Sequence, residues 1–407
     1  MAKYFNVNGA CKPDWHYMVD LESRLKAIKR MIDAGEYFII NKARQYGKTT
    51  TLRALSEYLK KEYVIISLDF QKMSSQDFAN EFAFVNGLAR EISRTIRRMC
   101  TVPDTIKMRL NEMAAQTDNK MAELFGCFSE WCEQTEMPVV LMIDEVDTAT
   151  NNQVFLDFLA QIRAYYLDRD VSPTFQSVIL ASVYDVCNIK QKRKPEDDHE
   201  QNSPWNIAAE FDVEMGFSAA DIAGMLQQYE ADHNTKMDIG AVSELLYDYT
   251  SGYPFLVSRL CKLMDEKISG TNGFKNKQSV WTKGGVLEAV RRLLSEKNTL
   301  FDSLIGKLND YPDLKDMIYL LLFQGQTIVY NADDLATDML LMFGFVKVEH
   351  ETVQIANRIF ETRLYNYFLT LPEVQNGDML SFNFNKSKEI GLKGTKLGDK
   401  ILIEAVV

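Results

Sequence analysis

Short apolar runs rich in β-branched residues alternate with longer stretches of helical period through the first half of the chain. Tyr37 to Asn41 (YFIIN), Val64 to Asp69 (VIISLD), Val139 to Asp144 (VVLMID) and Ser177 to Ser182 (SVILAS) read as strands of the doubly buried kind. Leu52, Leu55 and Leu59 follow the first of these at the spacing of one helix face. Strands separated by helices predict an α/β fold with a parallel sheet covered by helices on both faces. After Gly216 the period turns helical. Ser218, with Asp221 three residues on, predicts a capped helix start, and Ile222, Met225, Leu226 and Tyr229 form its apolar stripe. Val242, Leu245, Leu246 and Tyr249 form a second stripe that stops at Gly252, and Pro254 suits the first turn of the next helix.

Residues 312–370 carry two helical stretches, a break at Gly344, and a hairpin with Val346 and Val348 opposite Val353 and Ile355. A helix capped by Asn357 follows, with Phe360, Leu364 and Tyr367 spaced for burial. This is the layout of a winged helix. Two more strand-like runs, Met379 to Asn385 and Ile401 to Val407, end the chain. The expected division is a sheet domain at 1–215, a helical lid at 216–300, the winged helix at 301–371 and a short β segment at 372–407.

At 407 residues the chain is too long for one hydrophobic core, in keeping with several domains. The net charge of −11 argues against a protein coated in nucleic acid. The charged stretch from Lys190 to Pro204 balances its four basic residues against Glu196, Asp197, Asp198 and Glu200 and reads as a solvated loop. The six cysteines are scattered, and no histidine stands near Cys127 and Cys132 to complete a zinc pattern, so free thiols in a reducing cytosol are expected. The N-terminus lacks a signal layout and the apolar run near Met317 to Phe323 is far short of a membrane span. A cytoplasmic protein with no membrane partner is expected.

The chemistry concentrates in Lys42-Ala-Arg44-Gln45-Tyr46-Gly47-Lys48-Thr49-Thr50, between the first strand and its helix. A helix N-terminus offers unpaired N–H groups and a favourable dipole to an anion. Gly47 lets the backbone approach phosphate oxygens, Lys48 supplies a point charge, and the Thr49 hydroxyl suits Mg²⁺. Lys42 stands where a full phosphate loop has its first glycine. The second half of the site is the strand ending in Asp144-Glu145-Val146-Asp147. A carboxylate there, Asp144, holds Mg²⁺ through water, and Glu145 can orient or deprotonate an attacking water. ATP and Mg²⁺ are therefore the expected ligands. The phosphate contacts are assigned to Arg44, Gln45, Tyr46, Gly47, Lys48, Thr49 and Thr50, the metal to Thr49 and Asp144, and catalysis to Glu145 and Lys48. Ser182, ending the fourth strand, is a candidate γ-phosphate sensor or a strand-end hydroxyl. Pro254 is either a plain helix start or a ring packed on adenine.

The strings YFIINKARQYGKTT, VVLMIDEVD and SGYPFLV together resemble the bacterial AAA-ATPase-like proteins, within the AAA+ and STAND-type P-loop NTPases, over about residues 1–370. The resemblance implies that Lys48 and Thr49 bind phosphate and Mg²⁺, that Asp144 is the Walker B carboxylate and that Glu145 is the catalytic glutamate. It also implies that Gly252 and Pro254 approach the adenine, and that a replaced first loop glycine is ordinary. Many such proteins carry a PD-(D/E)xK nuclease-like domain after the winged helix, and residues 372–407 resemble its final strands with the middle missing. In residues 371–407 none of the acids Glu373, Asp378, Glu389, Asp399 and Glu404 has a lysine two positions later, so no nuclease activity is expected.

Two functional classes follow. One is an ATPase switch whose winged helix moves with nucleotide state; mobile-element or phage-defence roles fit the family. The other is a nucleotide-binding module with little turnover, whose winged helix docks DNA or a protein, with Arg358 and Arg363 as the residues that would face a phosphate backbone. A homo-oligomer is compatible with either, and Arg163 and Arg169 are candidate fingers in trans.

Overall fold

The computed structural model describes residues 3–116, 118–183 and 205–371 in full, and the backbone of two strands within 393–404. The sheet domain runs α1 (Glu22–Asp33), β1 (Phe38–Asn41), α2 (Lys48–Leu59), β2 (Val64–Asp69), α3 (Glu81–Ile96), α4 (Asp104–Ala115), α5 (Met121–Gln134), β3 (Val139–Asp144), α6 (Gln153–Leu167) and β4 (Ser177–Ser182). All four strands are parallel, in the order β1-β4-β3-β2. Ala209 pairs outside β1, its N–H donating to the Tyr37 carbonyl at 2.7 Å, so the edge beside the phosphate loop is covered.

Side chains alternate across the sheet into two separate cores. Ile39, Ile66, Leu141, Ile143 and Leu180 face one side, where α3 to α6 supply Phe84, Phe125, Phe128, Trp131, Phe155 and Phe158. Phe38, Ile40, Ile65, Met142 and Ala181 face the other, against Leu52, Leu55 and Leu59 of α2 and Ile28 and Ile32 of α1. That second core does not stop at the sheet domain. It continues through the lid and into the winged helix without a break.

The lid comprises α7 (Ala219–His233), α8 (Ile239–Thr250), α9 (Pro254–Leu263), α10 (Lys277–Val280) and α11 (Lys283–Ser295). Ser218 and Asp221 form the expected capping box on α7. The predicted stripes of α7 and α8 are buried, except that Leu245 is half-buried. The winged helix comprises α12 (Thr299–Asp310), α13 (Pro312–Tyr319), β5 (Ile328–Val329), α14 (Leu335–Met342), β6 (Val346–Glu349), β7 (Thr352–Ile355) and α15 (Arg358–Leu369). The hairpin register pairs Val346 with Ile355 and Val348 with Val353. Asn357 caps α15 through the Phe360 N–H.

Beyond it, β8 (Lys393–Leu397) and β9 (Lys400–Glu404) form an antiparallel pair. The first predicted terminal strand, 379–385, lies outside the described residues, as does the charged stretch 190–204. Among the described residues no helix is long and apolar enough to cross a membrane.

Candidate nucleotide-binding site

Parallel strands present their carboxyl ends on one side of a sheet, and ligands of open α/β folds bind there. The loop after β1 turns at Gln45 (φ 57°) and Gly47 (φ 84°) before α2 begins at Lys48. At Gly47 no atom stands within 4 Å of where a Cβ would project, so the glycine answers to backbone conformation and to whatever the loop receives.

Lys48 is buried, and its ammonium donates to the carbonyls of Lys42 (2.6 Å) and Ala43 (3.0 Å) in its own loop. Burial pushes it below the ordinary lysine range, against the pull of Asp147, Glu145 and Asp144. Asp144 ends β3 and is buried, and its Oδ1 accepts from the Glu145 N–H at 3.0 Å. Burial holds Asp144 above the usual carboxylate range. Glu145 is raised by burial too, with the Asp144 charge adding to the effect. Glu145 adopts a left-handed conformation (φ 56°), uncommon for a residue with a side chain, at the turn that follows the strand. Two carboxylates and a lysine thus sit together where water is scarce, a setting in which cations and anions bind strongly.

Lys48 and Glu145 border a cavity of about 660 Å³. Arg44 through Thr50, Glu145 and Pro254 all line it, whereas Asp144 is buried and outside the lining. Pro254 is buried at the first turn of α9. Ser182 does not line the cavity. Its hydroxyl donates to Asp147 Oδ1 at 2.6 Å, and the Val183 N–H donates to Asp147 Oδ2 at 2.8 Å. Of the sequence's two readings of Ser182, the structure favours the strand-end hydroxyl.

Two parts of the lining were missed in the sequence. The N-terminal segment contributes Asn6, Asn8, Gly9 and Cys11, and the Cys11 N–H donates to Thr50 Oγ1 at 3.1 Å, tying that segment to the phosphate loop. The turn-forming pair Asn8-Gly9 was its one local hint. The winged helix contributes Ser303, Leu304, Lys307, Phe343 and Phe345 from the other side. Nothing local in the sequence marks those residues, because only the folded chain brings them there.

Of the two arginines proposed to face a nucleic acid, only Arg363 is engaged within the chain by a hydrogen bond among the described residues. Arg363 donates to the Leu294 carbonyl at 2.5 Å and lies over the Phe301 ring, so it is committed within the chain. Arg358 stacks on Tyr249 of α8, although it remains exposed. Arg163 donates to Asn206 (2.6 Å) and Arg169 to the Gly35 carbonyl (3.2 Å). A finger role for either would require giving up that bond.

A parallel sheet, a Gly-Lys-Thr loop opening a helix, an acidic strand end beside it, then a helical lid and a winged helix define a P-loop ATPase of the AAA type. The chain belongs to the AAA-like domain family, which matches residues 14–369. No curated protein matches it. Among solved structures it is similar to the Walker-type ATPase PABY2304 of Pyrococcus abyssi, at 15% identity and a TM-score of 0.56, covering 89% of this chain and 99% of that one. More distant are Aeropyrum pernix ORC2 in its ADPNP-ADP complexes (10%, TM-score 0.44, 86% and 95% covered) and the Thermotoga maritima RuvB Holliday junction branch migration motor (13%, 0.40, 84% and 94%). At 15% identity the Pyrococcus likeness is one of fold.

Proposed function

We propose that this protein binds ATP with Mg²⁺ in the 660 Å³ cavity and hydrolyses it, and that its lid and winged helix respond to the nucleotide. One observation carries this reading. Lys48, Thr49, Asp144 and Glu145 meet at the carboxyl end of the sheet, at the edge of a cavity walled also by lid and winged helix. In this reading Lys48 exchanges its loop carbonyls for the outer phosphates. The Thr49 hydroxyl and the Asp144 carboxylate would supply the hard oxygen donors that Mg²⁺ takes when phosphates and water complete its shell. Bound there, Mg²⁺ would neutralise charge on the transferring phosphoryl group. Glu145 accepts the proton of the attacking water, a role that its raised pKa suits. Pro254 lies against the base, and Arg44 to Thr50 supply backbone N–H groups to the phosphates.

The division into sheet domain (1–215), lid (216–300), winged helix (301–371) and a terminal β segment with no nuclease activity of its own belongs to the same proposal, as does a cytoplasmic location. The alternative is a module that holds nucleotide with little turnover and docks DNA or a protein through the winged helix. The engagement of Arg363 within the chain weighs against a DNA face on α15. ATP turnover measured against protein concentration, for wild type and Glu145→Gln, separates the two. Turnover in the wild type that the substitution abolishes supports the ATPase, and a rise in specific activity with concentration indicates a homo-oligomer. Tight ATP binding without turnover would leave the module.

A further inference from the structure

Tyr253 touches the phosphate loop, the lid and the winged helix at once. It is buried, with 3% of its surface exposed, and sits at the cap of α9 directly before Pro254. Its hydroxyl donates to the Arg44 carbonyl at 2.5 Å. Its ring meets Tyr46 of the phosphate loop edge to face at 4.8 Å, and Phe360 of α15 edge to face at 5.3 Å. A side chain at Gly344 of the winged helix would stand 3.7 Å from its ring and 2.7 Å from the Ala43 Cβ, which shows how closely the winged helix is seated on this corner. Its own backbone is fixed by an N–H bond to the Thr250 carbonyl at 3.0 Å.

The bonding on the loop gives this contact a direction. Carbonyls 42 and 43 are held from inside by Lys48, and carbonyl 44 is held from outside by Tyr253. A phosphate that draws Lys48 away releases the first two carbonyls and leaves the loop free to reset. The third carbonyl is then the handle by which that change leaves the loop. We infer that Tyr253 is a positioning residue that couples the phosphate loop to the winged helix: its hydroxyl follows the Arg44 carbonyl and its ring passes the displacement to Phe360. This rests on the proposed ATP switch and names the side chain through which it acts. Packed aromatic rings suit the purpose, because a dense interior transmits a displacement instead of absorbing it.

The test is hydrogen exchange followed by mass spectrometry with and without ATP, on the full chain, alongside calorimetric ATP binding. Tyr253→Phe keeps both ring contacts and removes only the hydroxyl. It should bind ATP, while the ATP-induced change in protection over residues 343–369 falls about fivefold, the factor that one neutral hydrogen bond is worth. Phe360→Leu leaves the hydroxyl bond intact and should also lower that response with ATP affinity unchanged. It serves if Tyr253→Phe does not fold. Wild type that binds no ATP would overturn the site assignment. Wild type that binds ATP without a response over 343–369 would overturn the switch and the coupling together. A wild-type response equalled by both variants would overturn the role of Tyr253 alone.

Discussion

Two glycines with left-handed backbones flank the cavity, and alanine at each should fail differently. Gly252 (φ 71°) closes the corner between α8 and α9, where its carbonyl accepts from the Phe217 N–H at 2.9 Å. A Cβ there would fall 1.9 Å from the Phe217 carbonyl oxygen and 2.9 Å from its carbonyl carbon. Both are backbone atoms, so the segments must part by about an ångström, and the hydrogen bond between them is lost. The left-handed conformation costs alanine about 1–2 kcal/mol. A buried group left unpaired costs about 1–3 kcal/mol more, and the stiffer unfolded chain returns about 0.4–1 kcal/mol. Gly252→Ala should therefore destabilise by about 2–4 kcal/mol. Gly47 (φ 84°) has no neighbour within 4 Å, so Gly47→Ala meets only the conformational term and should lose about 1 kcal/mol or less. Its penalty belongs to the phosphate, which can no longer approach the backbone. Thermal melting without nucleotide, with calorimetric ATP binding on the same samples, reads both effects. Gly47→Ala should melt near wild type and bind ATP poorly, whereas Gly252→Ala should melt several degrees lower. Equal melting losses in the two variants would refute the reasoning.

Lys48→Ala should lower ATP affinity about ten- to a hundredfold, the range for hydrogen bonds to charged groups, and unchanged affinity by calorimetry would dismiss the site. Glu145→Gln should keep ATP affinity while lowering kcat, as read in single-turnover hydrolysis. Asp144→Asn should stabilise the nucleotide-free protein above the carboxylate range. The folded state holds the Asp144 proton above its ordinary pKa and so binds more protons than the unfolded chain, and stability falls as pH rises through that window. Melting curves from pH 4 to 8 should show the variant less dependent on pH than wild type. Incubation with plasmid and single-stranded DNA, Mg²⁺ or Mn²⁺ and ATP should give no cleavage. Cleavage that survives Asp144→Ala and is lost on mutating Glu389 or Asp399 would contradict the absence of a nuclease.

The parts of the fold legible in the sequence were those set by local pattern. Val64–Asp69, Val139–Asp144 and Ser177–Ser182 are strands over the ranges that their apolar runs predicted, because a strand buried on both faces leaves an unbroken run. The first began one residue late: Tyr37 is buried, but its hydroxyl reaches the Phe175 carbonyl and its residue lies before β1. Caps at Ser218 and Asn357 were equally readable, since a cap is a local bond. What could not be read was set by contacts between residues far apart in sequence. Asn6, Cys11 and Phe343 carry no signal that they share a cavity with Lys48. Arg363 read as a residue that would face a phosphate backbone because its partner, the Leu294 carbonyl, lies 69 residues away. Ser182 stood at the right strand end for a sensor, and only the fold showed Asp147 facing it.

The continuity of one core across three segments bears on how a switch in this molecule would respond to temperature. The face packed by α3 to α6 is enclosed within the sheet domain, whereas the opposite face shares its apolar surface with the lid and winged helix. A rearrangement that slides these parts over one another keeps that surface dry and leaves the heat capacity almost unchanged. One that lifts the winged helix away wets Phe343, Phe345 and Phe360, and hydrating apolar area raises the heat capacity. The equilibrium between the seated and lifted forms would then curve with temperature, and cooling would weaken the hydrophobic hold on the seated form. Calorimetry of ATP binding across a range of temperatures therefore distinguishes a shear from a detachment without a second structure: a detachment makes the binding heat capacity markedly less negative, and a shear does not.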